Sequence, residues 1–424
     1  MRISTLQAFN NGVAGIQRNY SNATRTQEQI STGNRILTPA DDPVASVRLL
    51  QLEQQQNVLS QYNSNLTAAK NSLTQEEVTL NSVNTVLQRV RELAVQAGNG
   101  ALDPQDRKSI AAELGEREDE LLSLMNTRNA RGEYLFSGFQ GKTQPFVRAA
   151  DGSYSYQGDE GQRKLQIASS LGIPISDNGK SIFQNVTDAG RLESQPAAPF
   201  PPGSTLAVSA PLVSDEVAFS GANGFPASGV QLQFNADGSY DVYELDNSGM
   251  PAAVPFADGT GLKMDGDSGN SDSLVFRGVT LQFDGAATGG EAVNITPKPS
   301  GSSATQQKQG ILDTIANLRS SLENPSTGNT GVRDAVAVAL TNLDHGMVSV
   351  DQARGNIGAR LNVIETTQTD NEDVALVNKG VQAELRELDY AEALSRLSMQ
   401  TVVLEAAQQS YVKIAGLSLF NVMR

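Results

Sequence analysis

The chain has 424 residues, 38% of them hydrophobic and 5% aromatic with no tryptophan, and a formal net charge of −15. Such a length calls for two or three domains, and so few aromatics argue for slender helical packing over one large core. The absence of cysteine excludes disulfides, thiolate metal sites and cysteine nucleophiles.

Acidity without a clustered basic stripe argues against nucleic acid and against an anionic membrane surface. No apolar run approaches the length needed to span a bilayer. The stretch from Met1 to Gln7 has neither the apolar region nor the cleavage site of a secretory signal.

The first segment carries a heptad seam of Leu6, Phe9, Val13, Ile16, Tyr20, Ala23, Gln27 and Ile30, spaced by threes and fours on one helix face. Gly33-Asn34 stops it, and Asp41-Asp42-Pro43 starts the next helix, with Asp42 as cap and Pro43 at the first position. That second helix keeps the same alternation from Leu52 through Leu59, Leu66, Leu73, Glu76, Leu80, Leu87 and Ala94 to Ala97. Asp103-Pro104 opens a third, with Ile110, Leu114, Arg117, Leu121 and Leu124 on one face.

The texture then changes. Glu133 to Gly138 reads as a strand leaving the helices, and from there to about Pro299 the chain is rich in Gly, Pro, Ser, Asn and Asp. Asp237-Gly238, between Leu232-Gln233-Phe234 and Tyr240-Asp241-Val242-Tyr243, predicts a hairpin. Helical periodicity returns at Ile311, Ile315, Leu318 and Leu322, is stopped by Asn324-Pro325, and resumes through Leu340, Leu343, Val350, Ile357, Leu361 and Ile364. A last seam runs Tyr390, Leu394, Leu397, Thr401, Leu404, Gln408, Tyr411 and Ala415.

Neither terminal seam can bury its face alone, so the two are expected to pair antiparallel as a coiled-coil stem. Leu397, Leu404 and Tyr411 are expected to face Leu6, Val13 and Ile16. Charges are sparse on both terminal helices, and the outward faces read as Asn, Gln, Ser, Thr and Ala, suited to packing against copies of the same chain. The expected fold is mainly α with an inserted β domain. Residues 1–40 with 388–424 form the stem, ordered on assembly, 41–146 with 301–387 a helical bundle, and 147–300 a β-rich outer domain.

Catalytic, cofactor and metal sites find no support. His345 is the only histidine, lies in a helical run, and has no nucleophile to serve. Asp265 to Asn270 has Gly269 and Asn270 where a calcium loop needs a ligand and a glycine, so a polar turn is the better reading. Glu116, Glu118, Asp119 and Glu120 read as a solvated helix face.

Gln29-Ile30-Ser31-Thr32-Gly33-Asn34-Arg35-Ile36, followed by Pro39-Ala40-Asp41-Asp42-Pro43, resembles the N-terminal signature of the flagellin-like proteins. Tyr134-Leu135-Phe136-Ser137-Gly138, Gly355 to Asn362, Asp389 to Ala393 and the ending Gly416 to Phe420 resemble further signatures of that group. The wording is closer to the hook–filament junction members than to filament flagellin, which usually has Ala-Lys-Asp-Asp-Ala-Ala-Gly at the second site. The stretch from 147 to 300 resembles nothing in the group.

The resemblance implies a non-enzymatic structural subunit of the bacterial flagellum, extracellular, and exported through the flagellar type III apparatus without a cleaved signal. It implies as partners other copies of itself, hook-associated protein 1 on the hook side, flagellin on the filament side, and an export chaperone. Two rival readings are filament flagellin and a secreted adhesive protein, whose insert would offer Phe234, Tyr240, Tyr243, Phe276 and Phe283 as a sugar platform.

Overall fold

The computed structural model describes residues 2–264, 272–298, 308–324 and 328–422. The turn at Asp265 to Asn270 and Pro325 therefore lie outside the described residues, as do the side chains of Leu6, Ala415 and Gly416 to Phe420. Among the described residues the helices are α1 (Arg2–Thr32), α2 (Pro43–Ala97), α3 (Pro104–Met125), α4 (Glu216–Ser220), α5 (Ile311–Glu323), α6 (Gly328–Arg386) and α7 (Tyr390–Val422). The chain divides into two compact units: residues 1–67, 166–171 and 364–424, and residues 68–165 with 172–363.

In the first unit α1 and α7 pack along one another. Helix ends fall where local chemistry sets them. Gly33 closes α1 at φ +70°, its N–H donating to the Gln29 carbonyl at 2.8 Å. Asp42 accepts the Ala45 N–H at 3.0 Å, and Pro43 opens α2.

In the second unit the remainder of α2 joins α3, α5 and the first part of α6. Leu73, Leu80, Leu87, Leu114, Leu121, Ile315, Leu318, Val350 and Ile357 are buried. Arg89 reaches Glu113 on α3 at 2.8 Å and Arg91 reaches Asp344 on α6 at 2.7 Å, so α2 faces both. On α3 the buried line is Arg107, Ile110, Ala111, Leu114, Glu118, Leu121 and Met125. It slips by one residue from the expected Arg117 and Leu124, because an ideal straight helix turns every 3.6 residues and drifts off a strict heptad. Glu118 is thereby buried, contrary to its reading as part of a solvated face.

The stretch from Glu133 to Gly138 is not a strand. Tyr134, Leu135, Phe136, Ser137 and Gly138 are all buried, with isolated bridges Arg128–Tyr134 and Ser137–Asn178, and Gly138 turns the chain at φ +71°. The chain onward to Gly190 contains short strand pairs: β1 (Phe146–Arg148) with β2 (Tyr154–Tyr156), β3 (Lys164–Gln166) with β4 (Gly172–Pro174), and β5 (Val186–Thr187), which pairs with residues 308–309. Phe136 and Phe146 meet Phe183 edge-on at 5.1 and 5.9 Å. His345 Nδ1 lies 3.0 Å from the Thr187 carbonyl and Ser349 Oγ donates to that of Ile182 at 2.8 Å, so this segment is fastened to α6.

A β sandwich follows, over residues 192–297. Its strands are β6 (Leu192–Pro196), β7 (Ala207–Val208), β8 (Leu212–Val213), β9 (Val230–Phe234), β10 (Ser239–Glu244), β11 (Leu262–Lys263), β12 (Asp272–Phe276), β13 (Val279–Asp284) and β14 (Ala292–Pro297). One sheet has the order β11-β10-β9-β14-β6, and the other β12-β13-β7 with β8 also on β13. The β9–β10 hairpin turns at Asp237-Gly238 and pairs Phe234 with Tyr240. Leucine, valine and isoleucine side chains from both sheets fill one core with Phe234, Tyr240, Phe276 and Phe283. Those four aromatics are therefore unavailable as a sugar platform, and of the five only Tyr243 lies outside that core.

Candidate assembly surface

Where α1 ends and α7 begins, two loops are sewn together. The Arg35 N–H donates to the Arg386 carbonyl at 2.8 Å and the Leu388 N–H to that of Gly33 at 3.0 Å. Arg35 Nη2 reaches the Leu385 carbonyl at 3.1 Å, and Arg386 Nε reaches Asn34 Oδ1 at 3.1 Å. Asp41 accepts the N–H groups of Leu37 and Thr38 at 2.9 and 3.0 Å and pairs with Arg25. The two stretches singled out in the sequence, around Gly33 and around Asp389-Tyr390, thus meet in one elbow.

Beyond the elbow α1 and α7 run antiparallel. Arg396 Nη2 approaches Gln29 Oε1 at 3.4 Å, and the Phe9 and Tyr411 rings lie 5.1 Å apart. Ala23 is buried, while Val13, Ile16, Ile30, Leu397, Leu404 and Tyr411 are half-buried. Tyr20, Tyr390 and Leu394 are exposed, although the Tyr390 hydroxyl sits over Gly33. The register sets Leu404 level with Ile16 to Tyr20 and Leu397 level with about Ala23 to Gln27. Leu397 therefore does not face Leu6, Val13 or Ile16; Leu404 is level with Ile16, and Tyr411 reaches the part of α1 near Phe9.

The outward face of α7 is mostly polar or small, as read, with Ser395, Ser398, Gln409 and Ser410 exposed, and Met399 and Val402 interrupt it. Met399, Val402 and Val403 are 72%, 62% and 48% exposed; Val402 points away from the seam that meets α1, while Met399 and Val403 flank it beside Asn19 and Asn22 of α1. With Ser395 and Ala406, Met399 and Val402 form one line at helical spacing. A groove of about 390 Å³ runs beside it, lined by Asn19, Asn22, Glu392, Ser395, Arg396, Met399, Gln400 and Val403. These exposed apolar side chains are without cover in the isolated chain. The spacing of Met399, Val402 and Ala406 was the signal for this, masked by the stronger seam. On α1 the outward residues Asn11, Ala14, Gln17, Arg18 and Ser21 are polar or small, as read.

Residues 3–141 match the model of the bacterial flagellin N-terminal helical region. The chain is 24% identical over 428 residues to flagellar hook-associated protein 3 of Salmonella typhimurium, covering 100% of each. The N-terminal helical region is thus similar to that of the flagellins, and the whole chain is similar to flagellar hook-associated protein 3. To flagellar hook-associated protein 3 of Escherichia coli it is 33% identical over 198 residues, 47% of this chain and 62% of that protein. Its fold is similar to the crystal structure of flagellar hook-associated protein 3 from Legionella pneumophila, with TM-score 0.62 and 26% identity over 79% of this chain and 98% of that one. Terminal helices, a helical bundle and a central β domain are thus elements of a known fold. Among its described residues no helix is long and apolar enough to cross a membrane.

Proposed function

We infer that the chain is the structural subunit of the flagellar hook–filament junction and assembles through the stem made by α1 and α7. The observation that carries this reading is the similarity over the whole length to flagellar hook-associated protein 3, together with the exposed Met399, Val402 and Val403 on α7. Copies of the chain cover those side chains in the assembled layer, with hook-associated protein 1 on one side and flagellin on the other. Leu6, Phe9, Val13, Ile16, Tyr20, Ala23, Ile30, Tyr390, Leu394, Leu397, Leu404 and Tyr411 form or flank the seam inside each stem. The chain works without catalysis, outside the cell, after flagellar type III export with a cytoplasmic chaperone. The β sandwich is the outermost domain.

The test is complementation of cells that lack their junction subunit. Wild-type chain restores attached filaments, whereas Leu404→Asp and Met399→Asp are exported yet leave flagellin shed into the medium. Burying a carboxylate without a partner costs several kcal/mol, more than a marginal helix pair supplies. Because the chain has no cysteine, a Val402→Cys variant reports α7 contacts without background. Disulfide-linked dimers are expected from flagella and none from dilute monomer. Attached filaments with Leu404→Asp would remove the stem seam from this account, and failure of wild-type chain to restore attachment would remove the junction role.

A further inference from the structure

Three elements of the second unit converge on a closed polar site. Glu76 of α2 is 1% exposed, and its Oε1 accepts the Asp177 backbone N–H at 3.2 Å. The Asp177 carboxylate is gripped by Arg360 of α6 through two bonds of 2.9 and 3.0 Å and accepts Gln162 Nε2 at 2.7 Å. The charge of Arg163 also acts on Glu76, but its guanidinium is bound to Glu133 at 2.6 Å. The charges do not close. Asp177 and Glu133 each have a guanidinium partner, and the third carboxylate, Glu76, is buried with the Asp177 N–H as donor and no ion pair of its own.

A buried acid in this position keeps its proton. Burial, and then the Asp177 carboxylate, push Glu76 up to about 8, against the weaker pull of the Asp177 N–H and of Arg360 and Arg163.

We propose that Glu76, Asp177 and Arg360 form a proton-operated latch, which holds the segment around Asp177 to α2 and α6 while Glu76 is protonated. Loss of the proton sets two carboxylates against each other in a closed site. The segment then yields before the helices, because its strands are short while the bundle has its own apolar core. The folded chain holds a proton that the unfolded chain has already released. The site's contribution to stability is therefore full below about pH 4.5 and drains away as pH rises to about 8.

Thermal melting and amide-exchange protection of the full chain between pH 6 and 9 test this. Wild-type chain is expected to lose several degrees of melting temperature over that range, with protection of residues 172–179 falling before that of α3 and α5. Glu76→Gln, which keeps the shape and has no proton to lose, is expected to flatten both trends. Glu76→Leu provides the same comparison without an amide to satisfy. A fall of the same steepness in both variants, or unchanged protection at 172–179 in wild-type chain at pH 9, would overturn the latch.

Discussion

At the scale of single residues, the charged side chains inside the bundle decide more than those on its surface. Glu118 is 1% exposed, accepts the Tyr154 hydroxyl at 2.5 Å and binds Arg319 Nε at 2.9 Å, with Arg148 at 3.5 Å. Burial, and then this carboxylate, raise the Tyr154 phenol well above its ordinary range. Glu118→Ala leaves a guanidinium and a hydroxyl facing an empty site, and about 3 kcal/mol of stability should be lost. Glu118→Ala with Arg319→Met should cost less than the single change, because the orphaned charge is gone. Urea unfolding measures both, and a single variant within 0.5 kcal/mol of wild type would show the cluster to be dispensable. Glu118 was not legible in the sequence: amid Glu116, Asp119 and Glu120 nothing distinguishes the carboxylate that turns inward. Glu76 was visible only as an oddity in an apolar seam. Periodicity reports which face is buried, and not which distant cation or hydroxyl will meet it.

At the scale of elements, the helix boundaries were legible because each rests on local chemistry. Gly33, Asp42-Pro43 and Asp103-Pro104 act through neighbours within four residues; Asp103, for example, accepts the Asp106 N–H at 2.7 Å. The partner of Gly33 was not legible, since Tyr390 lies far along the chain. A side-chain carbon at Gly33 would stand 2.8 Å from the Tyr390 hydroxyl, in a backbone conformation of φ +70° that alanine disfavours. Gly33→Ala should therefore cost roughly 1 kcal/mol for the backbone alone, and more for displacing the ring oxygen. Adding Tyr390→Phe should recover only the second part. The measurement is protease cutting between residues 33 and 42, faster in Gly33→Ala and partly slowed in the double variant. Equal cutting in all three chains would mean that the elbow does not hold the ends of α1 and α7 together.

At the scale of the whole chain, the question is what can be removed without unfolding the rest. Composition marked the Gly- and Asp-rich stretch from 147 to 300 as one block, but its physical content is divided. Residues 147–190 carry Tyr154, Asp177 and Phe183, which bind Glu118, Arg360 and the Phe136–Phe146 pair inside the bundle unit. The sandwich core, by contrast, draws every buried member from Leu192 to Ile295. The topology could not be read beforehand because β6 pairs with β14, across the whole length of the insert. That same pairing makes excision simple: Leu192 lies opposite Pro297, and the Lys298 N–H donates to the Arg191 carbonyl at 3.0 Å. Replacing residues 192–297 by two or three glycines should leave a cooperatively melting helical protein. The loss of the Arg333–Asp284 pair and of the Asp334 bond to the Ala210 N–H should expose only part of α6. Removing residues 147–300 should instead take Asp177 from Arg360 and both Tyr154 and Arg148 from Glu118, leaving it Arg319 alone, and give a less cooperative product. Circular dichroism melts of the two deletions compare them directly. Equal cooperativity would show that residues 147–190 are dispensable to the bundle and would restore the boundary at 147.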